Sequence, residues 1–215
     1  MRIIPFVKRP LRYEYFNAAL ILIIVNAGIF FIYSMSPARM QSSLLRTFAL
    51  IPVFVRTGSL WQLFTYMFLH GDMYHLFFNM LGLFFFGMHL ERSMGSREFL
   101  LFYFVCGFTA GLFSFIVFWL SGSYMVVLIG ASGAIYGVLL AFAAFFPRAD
   151  IYVFGIIPVR APVLVLIYAG MEIFSQVTGR RAGIAHLTHL AGFATAYIYL
   201  LVRFRINAFK IFFNR

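Results

Sequence analysis

Six apolar runs without a single Lys or Arg constrain this chain more than anything else in its sequence. They cover Phe16–Ser34, Met73–Leu90, Phe99–Leu120, Tyr124–Pro147, Ala161–Val177 and Ile184–Val202. Each approaches the roughly 20 residues that an α-helix needs to cross a hydrocarbon core. Only 11% of the 215 residues are charged and 63% are hydrophobic. Soluble domains carry about 25% charged residues, and no soluble fold of this size could hide so much apolar surface. The fold class expected is therefore all-α: a polytopic membrane protein with a six-transmembrane-helix bundle over 16–203. A short N-terminal segment, 1–15, precedes it and a short basic tail, 204–215, follows it.

The net charge of +11 does not indicate nucleic acid, because the 17 basic residues sit at the ends of the apolar runs. There they set topology and meet anionic lipid headgroups. With the N-terminus inside, the inner segments hold twelve basic residues: Arg2, Lys8, Arg9, Arg12, Arg92, Arg97, Arg148, Arg160, Arg203, Arg205, Lys210 and Arg215. The outer segments hold five, Arg39, Arg46, Arg56, Arg180 and Arg181. Both termini are expected in the cytoplasm. The first run reads as a retained anchor, since no small-x-small cleavage site follows it between Ser34 and Met40. Cys106, alone in an apolar run, reads as a packing thiol. The 35–72 connection is apolar but interrupted by Arg46, Pro52 and Arg56, which suits an amphipathic element in the outer interface. Trp61 and Tyr66 suit headgroup depth. Ile151–Pro158 is a similar short apolar stretch on the inner side.

The intramembrane polar residues are not scattered. Runs two, four and six share one direction, and each places its polar residues in its first half: His75 and Asn79, Ser132 and Tyr136, His186 and His189. A rise of 1.5 Å per residue puts Ser132 about 12 Å below the outer end of a helix begun at Tyr124. His189 and Asn79 fall at similar depths. His75 and Asn79 are four apart and share a helix face, as do Ser132 and Tyr136. Gly133, Gly137 and Ala141 form a small-residue stripe on run four, and Ala185, Gly192 and Ala196 line the His189 face of run six. Such stripes allow the close helix approach that a Ser–His hydrogen bond requires. Glu172, near the end of run five, reads as a carboxylate reaching the interface. His89 reads as an interfacial residue and His70 as a structural partner of the outer loop.

These residues resemble the rhomboid family of intramembrane serine proteases. The family's Gly-x-Ser-Gly motif stands here as Gly130-Ala131-Ser132-Gly133, and its base region as His189-Leu190-Ala191-Gly192. The stretch Trp61–Asn79, with His70, His75 and Asn79, looks like the family's first loop running into its second helix. Glu91-Arg92 through Gly95-Ser96 looks like the loop after it. Gln62 stands where many relatives carry Arg, and His186 is an additional His one turn before the base. The resemblance implies a rhomboid-like bundle of the minimal bacterial form, in a bacterial inner membrane. It implies that His75 and Asn79 stabilise the oxyanion and that Tyr136 packs on the base. The outer loop would lie in the membrane, and the fifth helix would gate entry of transmembrane substrates cut at a small residue.

The expected function is a serine endopeptidase. Ser132 attacks the scissile carbonyl, and His189 takes its proton and passes it to the leaving amine. The Ser132 N–H, His75 and Asn79 hold the oxyanion. No Asp or Glu is expected at the right depth in any run to orient the base, so a Ser–His dyad restrained by Tyr136 is expected, with Gly130 and Gly133 in support. No metal or other cofactor is expected, and the partners expected are transmembrane protein substrates and membrane lipids, with no nucleic acid. Axial haem ligation by His75 and His189 would leave Ser132 and Asn79 without a purpose. A midplane transport site should include charged residues or broken helices in paired halves, and neither is visible. An inactive rhomboid relative that only binds membrane helices typically lacks the Ser or the His, and both are present.

Overall fold

A computed structural model of the chain describes residues 9–153, 155–178 and 183–213. Arg2, Lys8, Arg180, Arg181 and Arg215, counted above for orientation, lie outside the described residues, as does the side chain of Ala185. The first apolar run is α1, Ala18–Met35. The connection after it holds α2, Ala38–Phe48, α3, Pro52–Arg56, and α4, Gln62–Thr65, which continues into a 3₁₀ turn at Tyr66–Phe68. The second run is continuous from Met73 to Met94, as α5, Met73–Gly82, a π-helical turn at Leu83–Gly87, and α6, Met88–Met94. The third is α7, Ser96–Leu120. The fourth is α8, Ser132–Phe145. A hairpin of β1, Asp150–Val153, and β2, Ile157–Arg160, precedes α9, Ala161–Val177. The sixth run is α10, Gly183–Tyr199, with a π-helical turn at Leu200–Phe204, and α11, Ala208–Phe213, follows.

Four of these helices are long and apolar enough to cross a membrane, while α8 and α9 are apolar but shorter. Their outward faces carry exposed Ile24, Ile32, Phe77, Phe78, Phe84, Phe113, Ile116 and Phe174. Exposed aromatic and branched side chains in such numbers suit a hydrocarbon solvent. The chain is a multi-pass helical membrane protein, and α8 lies at its centre. Every residue of α8 is buried except Ser132, Tyr136 and Phe145, which are half-buried.

The structure corrects the fourth run. Its helix begins at Ser132 rather than at Tyr124. The preceding chain is held away from helical geometry by an antiparallel bridge between Leu50 and Leu128, with both N–H···O bonds at 3.0 Å. Gly130 then turns the chain with φ +114°, and its N–H donates to the Tyr66 carbonyl at 3.0 Å. A 14-residue helix rises about 21 Å, short of the roughly 30 Å core. Irregular backbone is tolerated in a membrane protein where protein surrounds it, and the 35–72 connection pairs with the buried end of this segment at Leu128 and Gly130.

The connection folds as a cap of short helices pinned by Gln62. Its buried amide donates to the Arg46 carbonyl at 2.7 Å and accepts from Ile51 N–H at 3.0 Å. Trp61 is half exposed and donates to the Thr47 carbonyl. Tyr66 does not sit at headgroup depth. It is fully buried and donates to the Gly107 carbonyl at 2.7 Å, because Gly111 leaves space for its ring. Within the apolar stretch at 151–158, Tyr152 pairs with Pro158 and Val153 with Ile157 in the β-hairpin.

Small residues set the helix spacing, as the two stripes suggest. A methyl group added at Gly192 would run into the Gly133 carbonyl. One at Gly137 would meet Cys106 Sγ at 2.8 Å, and one at Gly133 would meet the Ala110 methyl at 2.8 Å. Cys106 is fully buried at that contact. Hydroxyl pairs that the sequence reading overlooked join α7 to α10: Ser114 with Thr188 at 2.6 Å and Thr109 with Thr195 at 2.8 Å. Such bonds are worth about 0.6–2 kcal/mol in a membrane. Gly192→Val should push α10 away from α8, at a cost of about 1–3 kcal/mol or more. A detergent-solubilised Gly192→Val protein is expected to melt several degrees lower than the wild type in a thermal assay, while Ala194→Val is expected to melt close to it.

Candidate active site

Ser132 is the first residue of α8, so its N–H and that of Gly133 have no intrahelical acceptor. Its Oγ lies 2.7 Å from Nε2 of His189, across the α8–α10 contact that Gly192 and Gly133 make close. The His189 ring stacks on Tyr136, one turn further along α8, with centroids 4.1 Å apart and planes 11° from parallel.

His75 and Asn79 share one face of α5. Asp72 caps that helix by accepting the His75 N–H at 2.8 Å. The His75 ring occupies the space a side chain at Gly130 would need: an added methyl would lie 2.5 Å from Nε2. Gly130 thus serves both the positive φ and the approach of this ring to the loop that carries Ser132. Asn79 is buried, and its amide donates to the His75 carbonyl at 2.7 Å. An amide nitrogen has a second N–H to offer.

Glu172 corrects two expectations. It is only 5% exposed, and it does not reach the interface. It also supplies the carboxylate that the depth argument missed. Its Oε1 accepts from His189 Nδ1 at 2.8 Å and from the Tyr136 hydroxyl, and its Oε2 pairs with His186 Nδ1. The signal was legible. Run five travels opposite to runs four and six, so the end of α9 meets the beginnings of α8 and α10. Applying the same depth count to run five would have found Glu172 five residues from its end.

Both ring nitrogens of His189 are therefore engaged, one by Ser132 and one by Glu172. The Glu172, His186 and His189 donor atoms lie within 4.8 Å of one another, a spacing that could hold a metal ion. The same atoms hydrogen-bond to one another. His89, at the far end of the second run, is exposed and bonds the Phe85 carbonyl at 2.7 Å.

A family model for the Rhomboid domain matches residues 57–206. The chain belongs to the rhomboid family. Among the relatives it resembles is RHOMBOID-like protein 12, mitochondrial, of Arabidopsis thaliana, at 29% identity over 82% of this chain and 55% of that protein. Another is Rhomboid protease AarA of Providencia stuartii, at 30% identity over 80% of this chain and 67% of that protein. A shorter match, 40% identical, covers 40% of the chain and 16% of Rhomboid protease GluP of Bacillus subtilis. The chain spans 55% and 59% of the length of two plant relatives, one mitochondrial and one chloroplastic. The matched 57–206 region of this rhomboid contains Ser132, His189, His75, Asn79 and Glu172, and begins inside the cap that holds Gln62.

His70, just before α5, is 1% exposed and lies edge-on to His75, with ring centroids 5.1 Å apart. Burial, reinforced by the neighbouring His75, pushes its pKa down from 6.5 to about 4. The folded protein then holds this ring neutral where the unfolded chain would protonate it. Its contribution to stability is complete above about pH 6.5 and is lost as the pH falls toward about 4. The melting temperature of the wild type is expected to drop across that window, and a His70→Phe protein to drop less.

Proposed function

We propose that this chain is an intramembrane serine endopeptidase. The observation that carries the reading is the 2.7 Å contact between Ser132 Oγ and His189 Nε2, two helices apart in sequence and half-buried within a helical bundle. A hydroxyl and an imidazole in this contact form an activated nucleophile. A lone intramembrane Ser would ordinarily bond its own backbone.

In the proposed reaction Ser132 Oγ attacks the scissile carbonyl while its proton passes to His189 Nε2. The C–N bond then breaks and the same proton leaves on the amine. A water molecule, deprotonated by His189, next releases the acyl group and restores Ser132. The Ser132 N–H, His75 and Asn79 stabilise the tetrahedral oxyanion, and Tyr136 holds the imidazole by stacking. Gly130 and Gly133 leave room for His75 and for α10. Substrates are transmembrane segments of other proteins, cut at a small residue, and α9 is the helix past which they enter. The proposed setting is a bacterial inner membrane, with a membrane domain over 16–203 and with 1–15 and the basic 204–215 tail on the cytoplasmic side.

A fluorophosphonate probe is expected to label the wild type and not Ser132→Ala; equal labelling of both would remove Ser132 as nucleophile. His189→Ala should abolish cleavage of a model transmembrane substrate, and His186→Ala should leave much of it.

Loss of one oxyanion donor typically costs about 10²–10³ in rate. Three donors share the charge here, so Asn79→Ala should lose about 10² or less, and His75→Ala should lose more. Both losses should fall on kcat rather than KM. Folded variants that lost only affinity would leave His75 and Asn79 as interhelical contacts.

A further inference from the structure

We infer that Glu172 is a positioning residue for the base, completing a Ser132–His189–Glu172 triad whose carboxylate is delivered by α9. The inference rests on the protease reading above and deepens it. Three observations carry it.

The first is the line of contacts through one imidazole. Nε2 faces Ser132 Oγ at 2.7 Å and Nδ1 faces Glu172 Oε1 at 2.8 Å. A carboxylate has only acceptors to offer, so its bond to Nδ1 places the ring proton there. The lone pair is then left on Nε2, the tautomer that can take the serine proton. When Nε2 accepts that proton, the carboxylate faces the imidazolium without itself being protonated, and no further atom has to move.

The second is where the carboxylate sits. Beyond Val165, Glu172 is the only residue of α9 that is fully buried. Its neighbours Met171, Ile173 and Phe174 are exposed. The C-terminal half of this helix meets the bundle through a charged group rather than through an apolar face. An ionisable side chain at membrane depth is costly to place unless a specific task retains it.

The third is how completely the carboxylate is held. Besides His189, it bonds the Tyr136 hydroxyl through Oε1 and His186 Nδ1 through Oε2. Tyr136 is also the ring that stacks on His189, and Tyr168 of α9 lies edge-on to it. The groups around the base are thus Ser132 and Tyr136 on α8, Glu172 and Tyr168 on α9, and His186 on α10, with His75 of α5 near enough to interact electrostatically. Each bond restricts the carboxylate, and the carboxylate in turn restricts the imidazole.

Glu172→Gln keeps the size and removes the charge. It should lower kcat by up to about 10⁴, the loss found when a triad carboxylate is removed elsewhere, with KM changed only a few-fold. Fluorophosphonate labelling of Ser132 should slow in parallel. Glu172→Asp should recover part of the loss. In a Ser132→Ala background the Gln change should cost nothing more, since triad members act as a unit. A strongly deshielded imidazole N–H resonance from His189 is expected in proton NMR of the wild type and should vanish in Glu172→Gln. A wild type that neither labels nor cleaves would sink the protease reading and this inference with it. An active wild type beside a folded Glu172→Gln protein of unchanged kcat would sink the inference alone. So would a loss confined to KM or to melting temperature that Asp does not restore, which would make Glu172 an interhelical contact only.

Discussion

The rest of the site depends on the close approach of α8 and α10. Gly192 lies directly over the Gly133 carbonyl, at a separation that no side chain could enter. Gly137 against Cys106 repeats the arrangement one turn along, on the α7 side of the same helix. With no hydrophobic force to drive helices together in lipid, such packing and a few polar bonds supply the association. Without that proximity the short side chain of Ser132 could not reach an imidazole on another helix.

Acidic residues are few, and the structure uses half of them as internal pins. Of six in the chain, Glu91, Glu98 and Glu172 are buried. Glu91 accepts the N–H groups of Ala18 and Ala19 at the start of α1, together with the Ser96 hydroxyl. That is the anion site of a helix N-terminus occupied by the protein's own carboxylate. Glu98 binds Arg203 through both oxygens, the Tyr199 hydroxyl at 2.6 Å and the Leu11 N–H at 2.8 Å. It joins α7, the end of the sixth run and the N-terminal segment. Glu172 makes the corresponding junction at the other end of the bundle, where α8, α9 and α10 meet. A buried carboxylate must be fully bonded to be tolerated, so each of the three fixes several elements at once.

The site reading was strongest where one helix sufficed and weakest where two antiparallel ones met. His75 with Asn79, and Ser132 with Tyr136, could be paired from a spacing of four alone. Glu172 stands near the end of its run, and position within a run has no meaning until the run's direction is compared with its neighbours'. Tyr66 was misplaced for a related reason. An aromatic residue in an interfacial stretch suits headgroup depth on composition, but Gly111 opens a slot for its ring inside the bundle and the Gly107 carbonyl accepts its hydroxyl.

Residue types and their order along the chain settle the class of the molecule. Long uncharged runs admit helices in lipid and little else, because every backbone polar group must be bonded within the segment. The motif around Ser132 and the His189-Leu190-Ala191-Gly192 stretch were sufficient to identify the family resemblance. Tertiary structure decided where the fourth helix starts, because hydropathy cannot distinguish a buried apolar loop from a buried apolar helix. The Leu50–Leu128 bridge and the turn at Gly130 make that choice, and both involve chain far from α8 in sequence or a φ that composition does not reveal. It also decided that His189 has a carboxylate beside it. That contact joins residues 17 apart on antiparallel helices, and only the packing of α9 against α10 brings them within 2.8 Å.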